Sequence, residues 1–470
     1  MQASVQYRAR GGTQLALTLV AVLLSVAAYL LAAVGKTGAT PPGIAVFVGV
    51  LAGVYLLAHL LVVRLAPGAD PILLPTVAVL AGIGYAVIFR LDPKLAAAQF
   101  GWLMVGLGLF AGTLLLIRDH RSLDAYTYTI GLLGVVFLLL PVVPGIGQTI
   151  NGARLWVRLG PLSFQPAEIG KVMIVVFLAS YLGARKELLA VATRRIGPIR
   201  LPEPRYMGPL LVAWLLSLAV LFMERDLGSS LLFFGIFVIM LWTATGRGAY
   251  LILGLILFAI GAWIGYLVFS HVQARVDIWL HALQPNNVQK FGYGQLAQAS
   301  FAMATGGIGG TGLGQGYPNL IPFASTDFVF AAIGEELGLF GTTALLLLYV
   351  VMMGRGFKAA LIREDAFSKL LGVGLTSVLA LQTFIIVGGV IRVIPLTGIT
   401  LPFVSYGGSS LIANFVLLAL LVRISAPGTP RPLGPQWLRR RREERARQIA
   451  PPKEGSNDPT IITPLNEGGS

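Results

Sequence analysis

The chain has 470 residues, is 56% hydrophobic and only 12% charged, and carries a formal net charge of +15 with no cysteine. Soluble domains run at about 25% charged, so a soluble enzyme is excluded. The missing thiols exclude disulfides, thiolate metal sites and a cysteine nucleophile. Apolar runs near the roughly 20 residues that cross a bilayer as a helix recur along the sequence, which predicts an all-α polytopic membrane protein.

About twelve spans are expected, with edges good to a few residues: approximately 14–35, 43–63, 71–89, 98–117, 126–144, 163–183, 207–223, 228–245, 249–270, 328–353, 368–391 and 401–423. The first run is long, and no small-x-small cleavage site follows it, so it reads as a span rather than a signal peptide. Alternate loops hold Arg118 and Arg121, then Arg185 to Arg205, then Arg247, then Arg355, Lys358 and Arg363, and both termini carry arginines. By the positive-inside rule that face is cytoplasmic, with both termini on it. The polar, glycine-rich segment 271–327 then forms a large extracytoplasmic loop. The tail 426–470 is rich in proline, glycine and charge and is expected to be disordered. Its arginine run, Arg439 to Arg447, suits anionic membrane lipid better than nucleic acid because a span immediately precedes it.

Four external constellations could carry chemistry. The first is Asn151-Gly152-Ala153-Arg154-Leu155-Trp156-Val157-Arg158, followed by Gln165-Pro166-Ala167-Glu168-Ile169-Gly170-Lys171. Pro166 suits a first helical turn, and Glu168 and Lys171 then share a face. They form either a functional pair or an ion pair that merely lets the helix insert. Arg154 and Arg158 beside Trp156 suit headgroup anchoring, and arginine also binds phosphate bidentately. The second is the turn Glu224-Arg225-Asp226, which could equally be only solvated. The third, Gly306 to Gly316, lacks the Gly-Lys-Ser/Thr of a phosphate loop and follows no strand; a re-entrant loop is the expectation.

The fourth is Ser325-Thr326-Asp327, running into the tenth span. Any of the three could cap that helix. A cap does not explain Glu335 and Glu336, two adjacent acids about two and a half turns deeper. At least one of them should face the bundle interior or a wet cavity.

These residues together resemble the SEDS family (shape, elongation, division and sporulation) of peptidoglycan polymerases, the FtsW/RodA/SpoVE group. The resemblance spans roughly residues 70 to 425. It rests on Asn151-Gly152-Ala153-Arg154 with Trp156, Gln165-Pro166-Ala167-Glu168 with Lys171, Asp226-Leu227-Gly228, Gly306-Gly307, Thr326-Asp327-Phe328, Gly334-Glu335-Glu336-Leu337-Gly338, and Pro402 with Ser405-Tyr406-Gly407-Gly408-Ser409-Ser410. Each motif is weak alone; their number and order make the match specific. Two departures stand out. Pro322-Phe323-Ala324-Ser325 replaces the usual Pro-Glu-x-His, and Arg225 precedes the turn aspartate.

The resemblance implies a ten-helix SEDS-type bundle (71–425) with two extra N-terminal helices (1–70), as in actinobacterial RodA-like members. It implies a glycosyltransferase of the bacterial cytoplasmic membrane that polymerises lipid II, with Asp327 as the essential acid. Arg154, Trp156, Glu168, Lys171, Asp226, Arg392 and Ser405 are then expected at the substrate, with Thr326, Glu335 and Glu336 in support. No cofactor is evident, although a divalent cation (Mg or Mn) could assist; no dedicated metal ligand set is visible. The expected partner is a class B penicillin-binding protein, a transpeptidase, since cross-linking needs a separate enzyme. The alternatives are a division polymerase of the FtsW type, a lipid II flippase, or a scaffold without activity. The flippase lacks support from an inverted repeat.

Overall fold

The computed structural model describes residues 2–427 except 42–43, 151–152, 161, 191–193, 197–198, 291 and most of 202–225. The seventh expected span (207–223), nearly all of it, Asn151-Gly152, Arg225 and the tail beyond residue 427 lie outside the described residues. Thirteen α-helices are described: α1 (Gln2–Thr37), α2 (Ile44–Leu65), α3 (Leu73–Leu91), α4 (Pro93–Leu116), α5 (Thr127–Leu139), α6 (Pro166–Ala190), α7 (Leu227–Thr245), α8 (Ala249–Val268), α9 (Ser270–His281), α10 (Tyr293–Gly306), α11 (Val329–Leu361), α12 (Ala366–Val390) and α13 (Gly408–Ser425). Among the described residues, eleven helical segments are long and apolar enough to cross a membrane.

Local chemistry sets the ends of these helices. Asp92 caps α4, accepting from Lys94 N at 2.8 Å, with Pro93 as the first helical residue. Asp365 caps α12 through Ser368 N at 2.8 Å. Gly246 ends α7 in the left-handed region at φ +67°, which costs a glycine little. Helix α12 is the buried centre and packs against α6, α7 and α11, while α13 packs against α4. The N-terminal pair lies along this bundle, with α1 against α3. Ser25 of α1 meets Gly82 so closely that no side chain would fit there, a small-residue crossing of the kind membrane helices use.

Four features depart from the expectations. First, the Arg154–Arg158 stretch is a strand. Strands β1 (Gly147–Ile150), β2 (Ala153–Leu159) and β3 (Leu162–Phe164) form a small antiparallel sheet, with Trp156 opposite Gln148 and Arg158 opposite Ser163. The alternation Arg-Leu-Trp-Val-Arg is the pattern of a half-buried strand. A second hairpin joins β4 (Arg194–Ile196) to β5 (Ile199–Leu201). Second, the segment 271–327 is not a plain loop, since most of α9 and all of α10 lie within it. Third, the last span begins at Gly408 rather than near 401; residues 401–407 form a buried turn around Pro402 and Phe403, the latter at φ +65°.

The tenth expected span is also broken. Gly338 interrupts α11 at φ +62°, ψ −162°, and the glycine-rich segment fills the break. Thr311 N and Gly312 N donate to the carbonyls of Glu335 and Glu336 at 2.9 Å each, and Leu339 N and Phe340 N donate to Gly307 O and Ile308 O at 2.9 and 3.1 Å. Broken backbone at membrane depth must be satisfied by protein, and here the satisfaction is mutual. A Cβ on Gly310 would sit 2.3 Å from Glu336 O, and one on Gly338 would sit 2.3 Å from Gly310 N. The re-entrant reading of this segment therefore becomes a specific docking of one backbone into another.

Candidate active site

Asp327 is half-buried, one residue outside the N-cap of α11. The capping expectation is corrected: the N-cap position falls on Phe328, and no side chain caps this helix. The carboxylate is held instead by its turn. Phe328 N and Thr326 N both donate to Phe323 O, at 3.2 and 3.1 Å, with Phe323 at φ +58°. Across the turn, Ser405 Oγ donates to Thr326 O at 2.6 Å, and Tyr406 N donates to Ser325 O at 2.8 Å. Ser405 Oγ also accepts from Leu401 N at 2.9 Å. The 401–407 turn is thus a clamp on the residues that carry the acid.

Three charged groups converge in front of that clamp. A Cβ on Gly398 would lie 3.6 Å from Asp327 Oδ2 and 4.0 Å from Arg275 Nη2, so the space above this glycine (φ +78°) is the floor shared by acid and cation. Arg275 comes from α9 and is anchored by Nη1 donating to Leu396 O at 2.6 Å. Its charge acts on both Asp327 and Asp226. Asp226 caps α7, accepting from Gly228 N at 3.0 Å and Ser229 N at 3.2 Å.

Burial pushes the Asp327 carboxyl up to about 6, against the opposing pull of Arg275 and the Thr326 hydroxyl; the nearby Asp226 adds to the rise. Burial also raises Asp226, opposed by its bonds to Ser229 and by Arg275. Glu224, fully buried and with no hydrogen-bond partner for either carboxyl oxygen among the described residues, is pushed up to about 8 by burial and by Asp226.

The remaining expected site residues divide into two groups. Lys171, buried, meets Glu168 at 2.5 Å and Gln382 Oε1 at 3.1 Å. Gln382 Nε2 continues to Thr400 O at 3.0 Å, and Thr400 Oγ1 donates to Ser410 Oγ at 2.8 Å. The Glu168–Lys171 pair therefore supports the loop whose Ser405 clamps Asp327. Arg392, in the left-handed region at φ +62°, clasps α9: its Nη2 donates to Trp279 O at 3.0 Å, and Trp279 Nε1 donates to Arg392 O at 2.9 Å. Arg154 turns back on the segment that leads into β1, Nη2 donating to Val143 O at 3.3 Å, and half-buried Trp156 is its neighbour on β2. Glu335 and Glu336 face the glycine-rich segment, not Asp327. Glu335 Oε1 accepts from Tyr317 N at 2.7 Å; Glu336 pairs with Arg90 at 3.0 Å, and Arg90 Nη2 donates to Gly316 O at 2.6 Å.

Arg275 was missed from the sequence. It lies in a polar segment without a fingerprint, and only the fold of α9 brings it to Asp327. A single arginine on the amphipathic stretch His271–His281, next to the candidate acid loop, was the available signal.

For a divalent cation the fit is poor. Among the described residues no three histidine, aspartate or glutamate side chains gather as a ligand set, and Asp226 spends oxygen lone pairs on the α7 N-terminus.

Fold and site define a multi-pass membrane protein with a charged cluster built by the Asp327 turn, α9 and the N-terminus of α7. The chain belongs to the FtsW/RodA/SpoVE family of cell cycle proteins, whose family model matches residues 72–429. It is 46% identical over 389 residues to the peptidoglycan glycosyltransferase RodA of Mycobacterium tuberculosis, covering 80% of this chain and 82% of that one. Its fold is similar to a chain of a peptidoglycan synthase complex solved to show how polymerization and crosslinking are coordinated, with a TM-score of 0.62, 30% identity, and coverage of 76% of this chain and 97% of that chain. The rod shape determining protein RodA of Thermus thermophilus is similar at a TM-score of 0.52 and 28% identity, over 76% of this chain and 96% of that chain.

Proposed function

We infer that the protein is a peptidoglycan glycosyltransferase of the RodA type, polymerising lipid II into glycan strands for cell-wall elongation, with Asp327 as its general base. The observation that carries this reading is the placement of a half-buried carboxylate, raised toward neutrality, across a shared floor from Arg275. An acceptor sugar hydroxyl is a poor nucleophile and needs a base in the transition state. An ordinary aspartate at about 3.9 is a weak base, so a value near 6 is better matched.

In the proposed step the 4-hydroxyl of the acceptor GlcNAc gives its proton to Asp327. Its oxygen attacks the anomeric carbon of the donor MurNAc from the face opposite the lipid, inverting α to β. The bond from that carbon to undecaprenyl pyrophosphate breaks, and the electron pair leaves on the pyrophosphate oxygen. Arg275 stabilises that developing charge, as positioned cations do in low-dielectric sites. Arg154 and Trp156 on β2 offer a second contact for phosphate and headgroup. Glu168, Lys171, Ser405 and Thr326 position the acid loop, and Arg392 positions α9.

The arginines of Arg118, Arg121, Arg185, Arg247, Arg355 and Arg363 support a cytoplasmic face for that end and for both termini. The catalytic cleft then opens outside the membrane. The likeness to a synthase complex supports a class B penicillin-binding protein as partner.

The test supplies purified protein, with and without such a transpeptidase, with labelled lipid II. Gel-resolved polymer that a muramidase cleaves supports β-linked chain growth. Labelled lipid II left unpolymerised by folded protein in both preparations would overturn the reading.

A further inference from the structure

A second site lies at the opposite end of the molecule from the Asp327 cleft, between the two N-terminal helices. A cleft of about 340 Å³ is enclosed by the start of α1, the end of α2 and the link to α3, with Arg10, Gln14 and His59 as its polar lining. Gln14 is 3% exposed, yet among the described residues its Nε2 has no hydrogen-bond partner, and neither has the buried Nδ1 of His59. Arg10 uses Nη1 on Gly68 O at 2.7 Å, which fixes the guanidinium at the cleft wall. Leaving a buried polar atom without a partner is costly, so such atoms around a cavity mark a missing partner.

Among the described residues no carboxylate lines the cleft. The nearest acid in sequence, Asp70, is paired with Arg355, whose Nε lies 2.7 Å away. The polar lining therefore offers a fixed cation, an amide donor and an imidazole, a set that suits an anionic group with several acceptor oxygens. The rest of the lining is mainly apolar, from Leu15, Val62 and Val63, and Val63 is itself exposed. A free anion has no use for those walls, whereas an amphiphile does. The cleft also sits at the arginine-rich end of the bundle, where surface charge attracts anionic lipid.

We propose that this cleft binds the phosphate headgroup of an anionic phospholipid, held by Arg10, Gln14 and His59. The site belongs to the N-terminal helix pair, before the residues matched by the family model, and takes no part in glycosyl transfer.

Gly12 provides a test that spares the charges. A Cβ there would meet nothing within 4 Å, so G12V adds bulk to the cleft without a clash. The full chain in neutral detergent is incubated with dioleoylphosphatidylglycerol or dioleoylphosphatidylcholine, and bound lipid is counted by native mass spectrometry. Wild type is expected to retain the anionic lipid preferentially. R10Q and Q14L are expected to weaken that retention, R10Q by about fivefold, the worth of one arginine near an anionic surface, and G12V is expected to weaken it with all three polar groups in place. The thermal unfolding midpoint in the same detergent should be unchanged in each variant, confirming the fold. Equal retention of the two lipids, equal retention by wild type and G12V, or full displacement of the lipid by inorganic phosphate would each overturn the proposal. The assay in micelles does not depend on which side of the membrane the cleft faces, nor on the glycosyltransferase reading.

Discussion

The Ser405 hydroxyl donates to the Thr326 carbonyl at 2.6 Å, and through that bond the 401–407 turn fixes the backbone on which Asp327 stands. Ser405 is a positioning residue, since its partners are main-chain atoms of Thr326 and Leu401. Ser405→Ala should therefore cost about 1 kcal/mol of stability and lower turnover more than tenfold, because small misplacements of a reacting group are expensive. Steady-state assays should show the loss mainly in kcat, with KM for lipid II little changed.

The break in α11 makes a second demand. Gly338 sits at φ +62° against Gly310 N, so Gly338→Ala combines backbone strain with a steric conflict. A cost of about 1–3 kcal/mol for the strain alone is expected. Thermal unfolding in detergent should show a lowered midpoint, and limited proteolysis should open the glycine-rich segment first.

Arg275 restrains the rise of the Asp327 carboxyl. Removing the cation in Arg275→Gln should let it rise further. The acid limb of the pH–rate profile, expected near pH 6 for wild type, should then move to higher pH, and the plateau rate should fall because the leaving pyrophosphate loses its counter-charge. A plateau loss with an unmoved limb would separate charge stabilisation from tuning of the base.

Asp327 also links activity to stability. Its folded value of about 6 lies above its ordinary 3.8, so the fold favours the protonated acid. That contribution is fully present below about pH 3.8 and is lost as pH rises through about 6. Asp327→Asn, which resembles the protonated form, should thus be more thermostable than wild type at pH 8, with the gap closing as pH falls below about 4. Differential scanning fluorimetry across that range measures it.

Much of this was legible in the sequence, for identifiable reasons. Span positions follow from apolar runs, which the bilayer forces into helices. Asp327 stood out as an acid at a span boundary, and Glu168 with Lys171 from their helical spacing. What escaped reading depends on tertiary approach. Arg275 reaches Asp327 only because α9 lies across the site, clasped by Arg392 through Trp279. Ser405 acts on a backbone carbonyl 79 residues away, a relation no local pattern encodes. At least one of Glu335 and Glu336 was expected to face inward, and both are buried, but their partners, the Tyr317 amide and Arg90, belong to the docking of the glycine-rich segment rather than to the acid.

The most direct test of the central claim is lipid II polymerisation by Asp327→Asn beside wild type, with folding of both confirmed by thermal unfolding. Loss of polymer by at least a hundredfold, within the roughly 10²–10⁴ that a general base contributes, is the predicted result. Polymerisation at the wild-type rate by a folded Asp327→Asn protein would contradict the assignment of Asp327 as the base.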